Sequence, residues 1–273
     1  MSAITISAKA EAGGGKRRPA SSYWRALRPL VIVATATLGI WVSQGIWPDE
    51  KAVLAVIGKW TPLLLQGFAV DLAILIGSMV CGTVLGLAIG LALLSPNRMV
   101  RWPVMPLVQL LRNSPGLVFL FFVAFALPFK FTIFGMVIPF PGWVKVVFSF
   151  SLKISASVAE ILRGAVQSIG KGQSEAASAL GMSRRQAFWL VILPQCLPRM
   201  VPPWMNVVAI FLAAVPMASL VGIYDAVSYA SLAIKAEKRP ELIIPFYGYI
   251  TAWFFATGYA LHEASVLSEH RSR

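Results

Sequence analysis

Hydrophobic residues make up 58% of the 273-residue chain, charged residues make up 13%, and the mean hydropathy is +0.74. Soluble domains carry about 25% charged residues, so this composition excludes an ordinary soluble domain and indicates a membrane protein. The net charge is +13, but the cations lie between apolar runs and form no basic face interleaved with aromatic residues, which argues against nucleic-acid binding.

The first 60 residues predict a tail and one membrane span. Residues 1–28 hold a glycine run and six Lys and Arg residues, which is typical of a disordered basic tail in the cytoplasm. Residues 30–47 form an apolar run of about 18 residues, long enough to span a bilayer. The run lacks a small-x-small cleavage site, so residues 29–60 are predicted to be a retained transmembrane helix and an outer loop rather than a signal peptide.

Five further apolar runs predict an all-α membrane protein with about six transmembrane helices. They occupy residues 62–94, 104–127, 143–162, 201–223 and 241–261, and residues 128–141 form a short outer loop. The first of these runs is about 50 Å long as a helix, more than a hydrocarbon core needs. Its glycines at 82, 86 and 90 form a stripe that predicts close approach of a neighbouring helix.

The distribution of basic residues predicts the orientation. With both termini in the cytoplasm, sixteen of the 24 Lys and Arg residues fall inside and seven outside, and Lys153 lies within a span. This asymmetry agrees with the positive-inside rule. It also places the polar stretch at 164–200 in the cytoplasm, and a short tail at 263–273 with it.

The polar stretch contains a spaced motif. Glu175-Ala176-Ala177 is followed after three residues by Gly181, and after nine further residues by Val191 and then Leu193-Pro194. The pattern predicts a helix capped by Gln173 or Ser174 with Glu175 in its opening turn, a glycine stop, a second short helix and a proline stop. Small apolar residues from Ala176 to Leu180 would offer a smooth surface to another protein's groove. An amphipathic hairpin on the membrane surface is the alternative.

This spacing resembles the E-A-A-x3-G-x9-I-x-L-P loop of ABC-importer permeases, with Val191 in the Ile position. From about residue 63 to the C-terminus, the order of features is similar to the polar-amino-acid importers of the histidine and glutamine permease class. Further matching residues are Gly67, Gly86, Arg112, Pro115, Ala159-Glu160-Ile161, Arg163-Gly164, Gly172-Gln173, Gln195, Pro202-Pro203, Asn206, Ala218-Ser219 and Gly222.

The resemblance implies a type I importer core of five helices at residues 61–262, preceded by one extra helix. It implies that the coupling loop docks into ATP-binding ABC subunits through Glu175, Ala176, Ala177, Gly181, Leu193 and Pro194. A second permease subunit, identical or homologous, and an extracytoplasmic solute-binding protein are the other implied partners. The implied location is the bacterial inner membrane, and the implied cargo is an amino acid or related small zwitterion.

The resemblance is weaker where the substrate would be recognised. Relatives often read L-K-D-T-S-L-A-S where this chain has Leu212 to Ser219, and often have Thr where it has Asp71. Pro216, Met217 and Ser219 therefore belong to the predicted substrate pathway, with Pro216 expected to break its helix. A simple packing kink is the alternative.

Charged residues predicted at membrane depth are candidate functional groups. Asp71 and Lys153 each lie about 15 Å from the outer ends of their spans at about 1.5 Å per residue. They either face one another as a structural ion pair or line a cavity for a zwitterion. Glu160 and Arg163, three residues apart, predict a local ion pair at the inner membrane surface.

Three functions compete at this point. A permease subunit driven by a separate ATPase fits the loop. No G-x-x-x-x-G-K-[ST] phosphate loop occurs, so ATP and Mg²⁺ would bind the partner and no cofactor would bind this chain. A secondary transporter would use Asp71 as its ion-coupling site, but no internal repeat supports it. A membrane enzyme or scaffold is the third, and no catalytic set, disulfide framework or metal cluster is apparent.

Overall fold

The structure, a computed structural model, describes residues 50–271. The predicted basic tail at 1–28 and the predicted span at 30–47 lie outside the described residues. Within the described range the fold is helical apart from one β-hairpin. Its α-helices are α1 (Glu50–Leu93), α2 (Arg98–Asn113), α3 (Gly116–Ala126), α4 (Gly142–Gln167), α5 (Lys171–Ala179), α6 (Arg184–Gln186), α7 (Leu193–Ala214), α8 (Ala226–Glu237) and α9 (Ile243–Arg271).

The predicted number of spans is not confirmed. In the described part, two helical stretches are long and apolar enough to cross a membrane, at Ala52–Leu93 and Arg184–Val221. The pair α2 and α3 makes a third if it counts as one span, although it bends by 107°. The predicted run at 104–127 is therefore not one straight helix, because Pro115 prevents α2 from continuing. Helix α4, which carries Lys145, Lys153 and several serines, is not among these stretches.

The glycine stripe of α1 packs directly on α4, as predicted. A Cβ atom on any of the three glycines would lie within 3 Å of an α4 side chain, where real Cβ atoms essentially never sit. The distances are 2.6 Å from Gly82 to Ile154, 2.6 Å from Gly86 to Val158 and 2.9 Å from Gly90 to Leu162. The missing side chains allow the two helices to approach closely along three turns.

The largest buried cluster joins α1, α4 and α7. Phe150 of α4 meets Phe211 of α7 edge to face at 5.4 Å, and Ile74 of α1 is buried in the same cluster. Between membrane helices such side chains stabilise the contact by close van der Waals packing. Helices α1, α4 and α7 are therefore held together by one core.

A β-hairpin and a 3₁₀ turn are two of the described segments that depart from α-helix. Residues 128–141, predicted to be a loop, contain an antiparallel hairpin of β1 (Lys130–Ile133) and β2 (Met136–Pro139). Helix α7 ends at Ala214 and tightens into a 3₁₀ turn at Val215–Val221. The change falls at Pro216, as its missing backbone donor predicts.

Candidate functional site

The first helix of the polar loop begins earlier than its sequence predicts. Helix α5 starts at Lys171 after Gly170, so Ser174 lies inside the helix and donates its hydroxyl to the carbonyl of Lys171 at 2.7 Å. The prediction that Gln173 or Ser174 caps the helix is wrong, and Glu175 lies beyond the opening turn. The cause is Gly170, whose extended backbone (ψ 141°) precedes the first helical residue.

The exposed face of α5 is apolar and small. Ala176 and Ala179 are exposed, and Leu180 is 78% exposed at the end of the helix. Ala177 instead is buried and packs inward, so the smooth outer surface contains three of the four predicted residues. The helix ends at Gly181, whose φ of +76° is the left-handed conformation that glycine favours.

The second half of the loop is continuous with the following membrane helix. Ser183 caps α6 through a reciprocal pair of hydrogen bonds with Gln186, at 3.3 and 2.9 Å. A wide π-helical turn at Ala187–Ile192 then leads without a break into α7, which begins at Leu193. The predicted stop at Pro194 is wrong, because a proline in the opening positions of α7 needs no backbone donor.

Side chains at the base of the loop tie its two ends together. Arg199 of α7 donates to the carbonyl and hydroxyl oxygens of Ser168, at 2.8 and 2.9 Å, just after α4 ends. Gln195 donates to the side-chain oxygen of Gln173 on α5 at 3.3 Å. The loop is therefore attached to both α4 and α7. Sequence reasoning missed Arg199, whose only signal is a basic residue one helical turn after Gln195.

Glu160 joins α4 to α2. Arg163 donates to its carboxylate at 2.7 and 3.1 Å, which confirms the predicted local ion pair. Arg112, at the end of α2, approaches the same oxygen at 3.7 Å. The carboxylate thus serves as a partner for two guanidinium groups in the C-terminal part of α4.

Lys153 holds the bend between α2 and α3. Its ammonium group donates to the carbonyl oxygens of Leu111 and Ser114, at 2.9 and 2.6 Å, and to the Ser114 hydroxyl at 3.1 Å. These oxygens lack helical partners because α2 ends there. The predicted ion pair with Asp71 is therefore wrong, since Lys153 is satisfied by a helix end.

Lys145, also on α4, makes the same kind of contact with the end of α3. Its ammonium group donates to the carbonyl oxygens of Ala124 and Leu127, at 2.8 and 2.6 Å, where α3 ends. It also lies over the ring of Phe129, 3.7 Å from the centroid, and the residue is only 1% exposed. Two lysines of α4 thus stabilise the negative ends of the two bent helices.

Asp71 contacts the start of α8. Its Oδ2 accepts a hydrogen bond from the backbone nitrogen of Ala226 at 3.2 Å, and one turn away a Cβ on Gly67 would lie 2.5 Å from the same backbone nitrogen. Asp225 caps α8 by accepting from the backbone nitrogen of Ser228 at 2.7 Å. Both aspartates are fully buried, and each has one oxygen with no hydrogen-bond partner among the described residues. The sequence prediction included Asp71 but missed Asp225.

The C-terminal end of α8 also contacts α1, close to the predicted outer end of the α1 span. Lys59 and Trp60 both donate to Glu237, at 2.7 and 2.9 Å. These bonds, from Lys59 first and Trp60 second, lower the pKa of the Glu237 carboxyl from its usual value. Contacts of α1 residues 59 and 71 with α8 residues 237 and 226 show that the two helices run antiparallel.

The remaining predicted pathway residues lie in the 3₁₀ turn. Ser219 donates its hydroxyl to the carbonyl of Pro216 at 2.7 Å, and Met217 is 36% exposed. Beside the turn is an open, mainly apolar hollow of about 480 Å³. Its lining residues are Val70, Ala73, Ile74, Gly142, Trp143, Gly222, Ile223 and Tyr224. Neither Asp71 nor Lys153 is among them.

Long apolar helices, a bent helix pair and an exposed helical loop continuous with a membrane helix define a helical membrane protein of the transport-permease class. The chain belongs to the family of binding-protein-dependent transport system inner membrane components, whose model matches residues 82–262. This family membership agrees with the resemblance of the loop.

Several similar proteins are amino-acid permeases. The chain is 35% identical over 171 residues to the probable amino-acid ABC transporter permease protein YckA of Bacillus subtilis, covering 63% of this chain and 73% of that one. It is 30% identical over 215 residues to the L-cystine transport system permease protein TcyL of the same organism, covering 76% and 90%. The crystal structure of an amino acid ABC transporter with histidines matches with a TM-score of 0.70 at 28% identity, over 79% of this chain and 96% of that one.

Proposed function

We propose that this chain is the permease subunit of an ATP-driven importer that carries an amino acid or related small zwitterion across the bacterial inner membrane, with both termini cytoplasmic. The observation that carries the proposal is the loop from Lys171 to Pro194, an exposed small-residue helix fixed at its base to two membrane helices. Family membership and the amino-acid permeases among its relatives support it.

The exposed face of α5 is the proposed contact with the ATP-binding subunit. Ala176, Ala179 and Leu180 present small apolar groups that a groove on the partner would cover, and the exposed Glu175 lies beside them. Ala177 anchors the helix to its own chain, and Gly181 terminates it. ATP and Mg²⁺ bind the partner in this proposal, because the chain has no phosphate loop.

Movement of the loop would reach the membrane through its attached helices. Arg199 and Gln195 connect it to α4 and α7, and α7 leads to the 3₁₀ turn at Pro216. A rigid-body change between outward-open and inward-open states requires such a connection. A second permease subunit and an external solute-binding protein complete the proposed assembly.

The substrate pathway is proposed to include Asp71, Lys153, Pro216, Met217 and Ser219. Asp71 and Lys153 are both bound to backbone groups in this conformation, and Asp71 has no exposed surface. The proposal therefore requires α8 to move before Asp71 can meet a ligand. Pro216, Met217 and Ser219 all lie in the 3₁₀ turn, and this turn ends next to Gly222 and Ile223, which line the hollow.

The test is reconstitution of the full chain with its ATPase and binding protein in vesicles. Uptake of amino acids should require ATP and should stop when Ala179 is changed to Arg, which places a long charged group on the proposed contact face. Uptake that persists without ATP but collapses with the proton or sodium gradient would instead establish the secondary-transporter function with Asp71 as its coupling site.

A further inference from the structure

The hairpin at residues 129–140 exposes apolar side chains that the fold leaves uncovered. Phe134 at its tip is 98% exposed, and Met136, Val137 and Ile138 are also exposed. Successive residues of a strand point to opposite faces, so both faces of β2 are apolar and open. From Pro115 to Val144 the only charged residue is Lys130.

The base of the hairpin is fixed to the membrane helices. The backbone nitrogen of Phe140 donates to the carbonyl of Phe129 at 2.7 Å, which closes the ribbon. Lys145 lies over the Phe129 ring, and Phe140 meets Phe148 of α4 at 6.1 Å. The hairpin is therefore a fixed extension of the apolar helices.

The hairpin turn, Phe134-Gly135, begins with a residue that is not expected in a turn exposed to water. Phe134 has a φ of +49°, a left-handed conformation that a turn of this kind usually gives to Asn, Asp or Gly. The following Gly135, with a φ of +79°, fits the turn without strain. A large aromatic side chain at the strained position, almost fully exposed, indicates that an apolar environment meets the tip.

We infer that the hairpin is an interfacial anchor whose tip lies in the lipid at the boundary between headgroups and acyl chains. Lipid can cover both faces of a ribbon at once, whereas a docked protein covers one. The hydrocarbon centre is excluded, because a two-stranded ribbon has two unpaired backbone edges that need water. Aromatic and apolar groups at the interface satisfy both requirements.

The lipid assignment is continuous with the helices on either side. Residues 116–129 hold no polar side chain, and Phe122, Phe125 and Phe129 are 67%, 77% and 70% exposed. Trp143, at the start of α4, is 55% exposed. This aromatic band leads directly into the hairpin, so the same lipid would cover both. The inference is independent of the transported compound and of which side is the cytoplasm.

The test measures how often a nitroxide label at residue 134 collides with dissolved reagents. The label is attached to Phe134→Cys in the full chain, in which the native cysteines are replaced by Cys81→Ser and Cys196→Ser. The chain is reconstituted in vesicles of phosphatidylcholine and phosphatidylglycerol. The control Val84→Cys reports the exposed face of a membrane helix, and Lys238→Cys reports an exposed polar turn. At Phe134, frequent collisions with oxygen and rare collisions with a water-soluble nickel chelate are expected.

Each other result overturns the inference. Nickel collisions as frequent as at Lys238→Cys would place the tip in water, and rare collisions with both reagents would place it against protein. Met136→Cys provides a second labelled position if the variant at the tip does not fold. Adding Phe134→Asn, which suits the turn but not the lipid, should raise the nickel collision rate at Met136→Cys. An unchanged rate there would contradict anchoring by Phe134.

Discussion

The Lys153 ammonium lies 2.6 Å from the carbonyl oxygen of Ser114, so in this conformation its charge stabilises a helix end. Lys145 repeats the arrangement at Leu127, eight residues earlier on α4. The two lysines hold α2 and α3 in their bent form. The structural contribution of these lysine contacts can be measured.

The first prediction concerns Lys153. Changing Lys153 to Met should destabilise the protein by about 1.5–3 kcal/mol, because charge-assisted hydrogen bonds to backbone oxygens are lost. The thermal unfolding midpoint in detergent measures this loss. Lys130→Met, at an exposed position, is the control and should leave the midpoint nearly unchanged. An unaltered midpoint in Lys153→Met would show that the bend does not depend on the lysine.

The second prediction separates two roles of Asp71. Asp71→Ala removes the acceptor for the buried backbone nitrogen of Ala226 and should destabilise by about 1–3 kcal/mol. Asp71→Asn keeps an oxygen acceptor and should stay close to wild type in stability. ATP-driven uptake then decides the role of the charge. If Asp71→Asn transports normally with unchanged specificity, the carboxylate is not part of the substrate pathway.

The third prediction concerns the contact of α1 with α4. Gly86→Ala places a Cβ 2.6 Å from the Cβ of Val158 and 2.7 Å from the carbonyl of Ser155, so the helices must separate. Overpacking of this kind destabilises by about 1–3 kcal/mol. The matched control is Gly58→Ala on the same helix, where nothing lies within 4 Å. Equal unfolding midpoints for the two variants would refute the packing argument.

The fourth prediction concerns the face of α5. Ala179→Arg should leave the unfolding midpoint of the isolated subunit unchanged, because Ala179 is exposed. It should abolish co-purification with the ATP-binding subunit if this face is the contact. Arg185→Ala, exposed on α6, tests whether any change to the loop has the same effect. Retained co-purification of Ala179→Arg would place the contact elsewhere.

The fifth prediction is a pH dependence of stability. The pKa of Glu237 is lowered in the folded state by Lys59 and Trp60, so its contribution is present above the ordinary Glu pKa and disappears as pH falls through the lower folded value. The unfolding midpoint of Glu237→Gln should therefore lie below wild type at neutral pH. The two midpoints should converge under acidic conditions. A difference that grows on acidification would have the wrong sign.

Sequence reasoning predicted the local features that depend on single residues. The glycine stripe, the helix change at Pro216 and the Glu160–Arg163 pair are confirmed, because spacing along one helix or a missing backbone donor determines each of them. A stop at Pro194 is predicted by the same rule and is wrong, because Pro194 lies in the opening positions of α7, directly after the π-helical turn, where no backbone donor is needed.

Contacts between segments that are distant in the chain could not be predicted from local sequence features. The partners of Lys153 are carbonyls freed by a bend 39 positions away in the chain, and Asp225 meets α1 only through the fold. The hairpin had a local signal in Phe134-Gly135 between two four-residue strands. That signal was obscured because the whole region is apolar.

The unbroken path from Arg184 through the wide turn to Ala214 has a mechanical consequence. At about 1.5 Å per residue, it is a rod about 45 Å long. A tilt of about 5° at one end of such a rod displaces the other by about 4 Å, on the scale of one helical turn. A small change of angle at the Arg184 end therefore suffices to shift the backbone around Pro216 by the width of an atom or more.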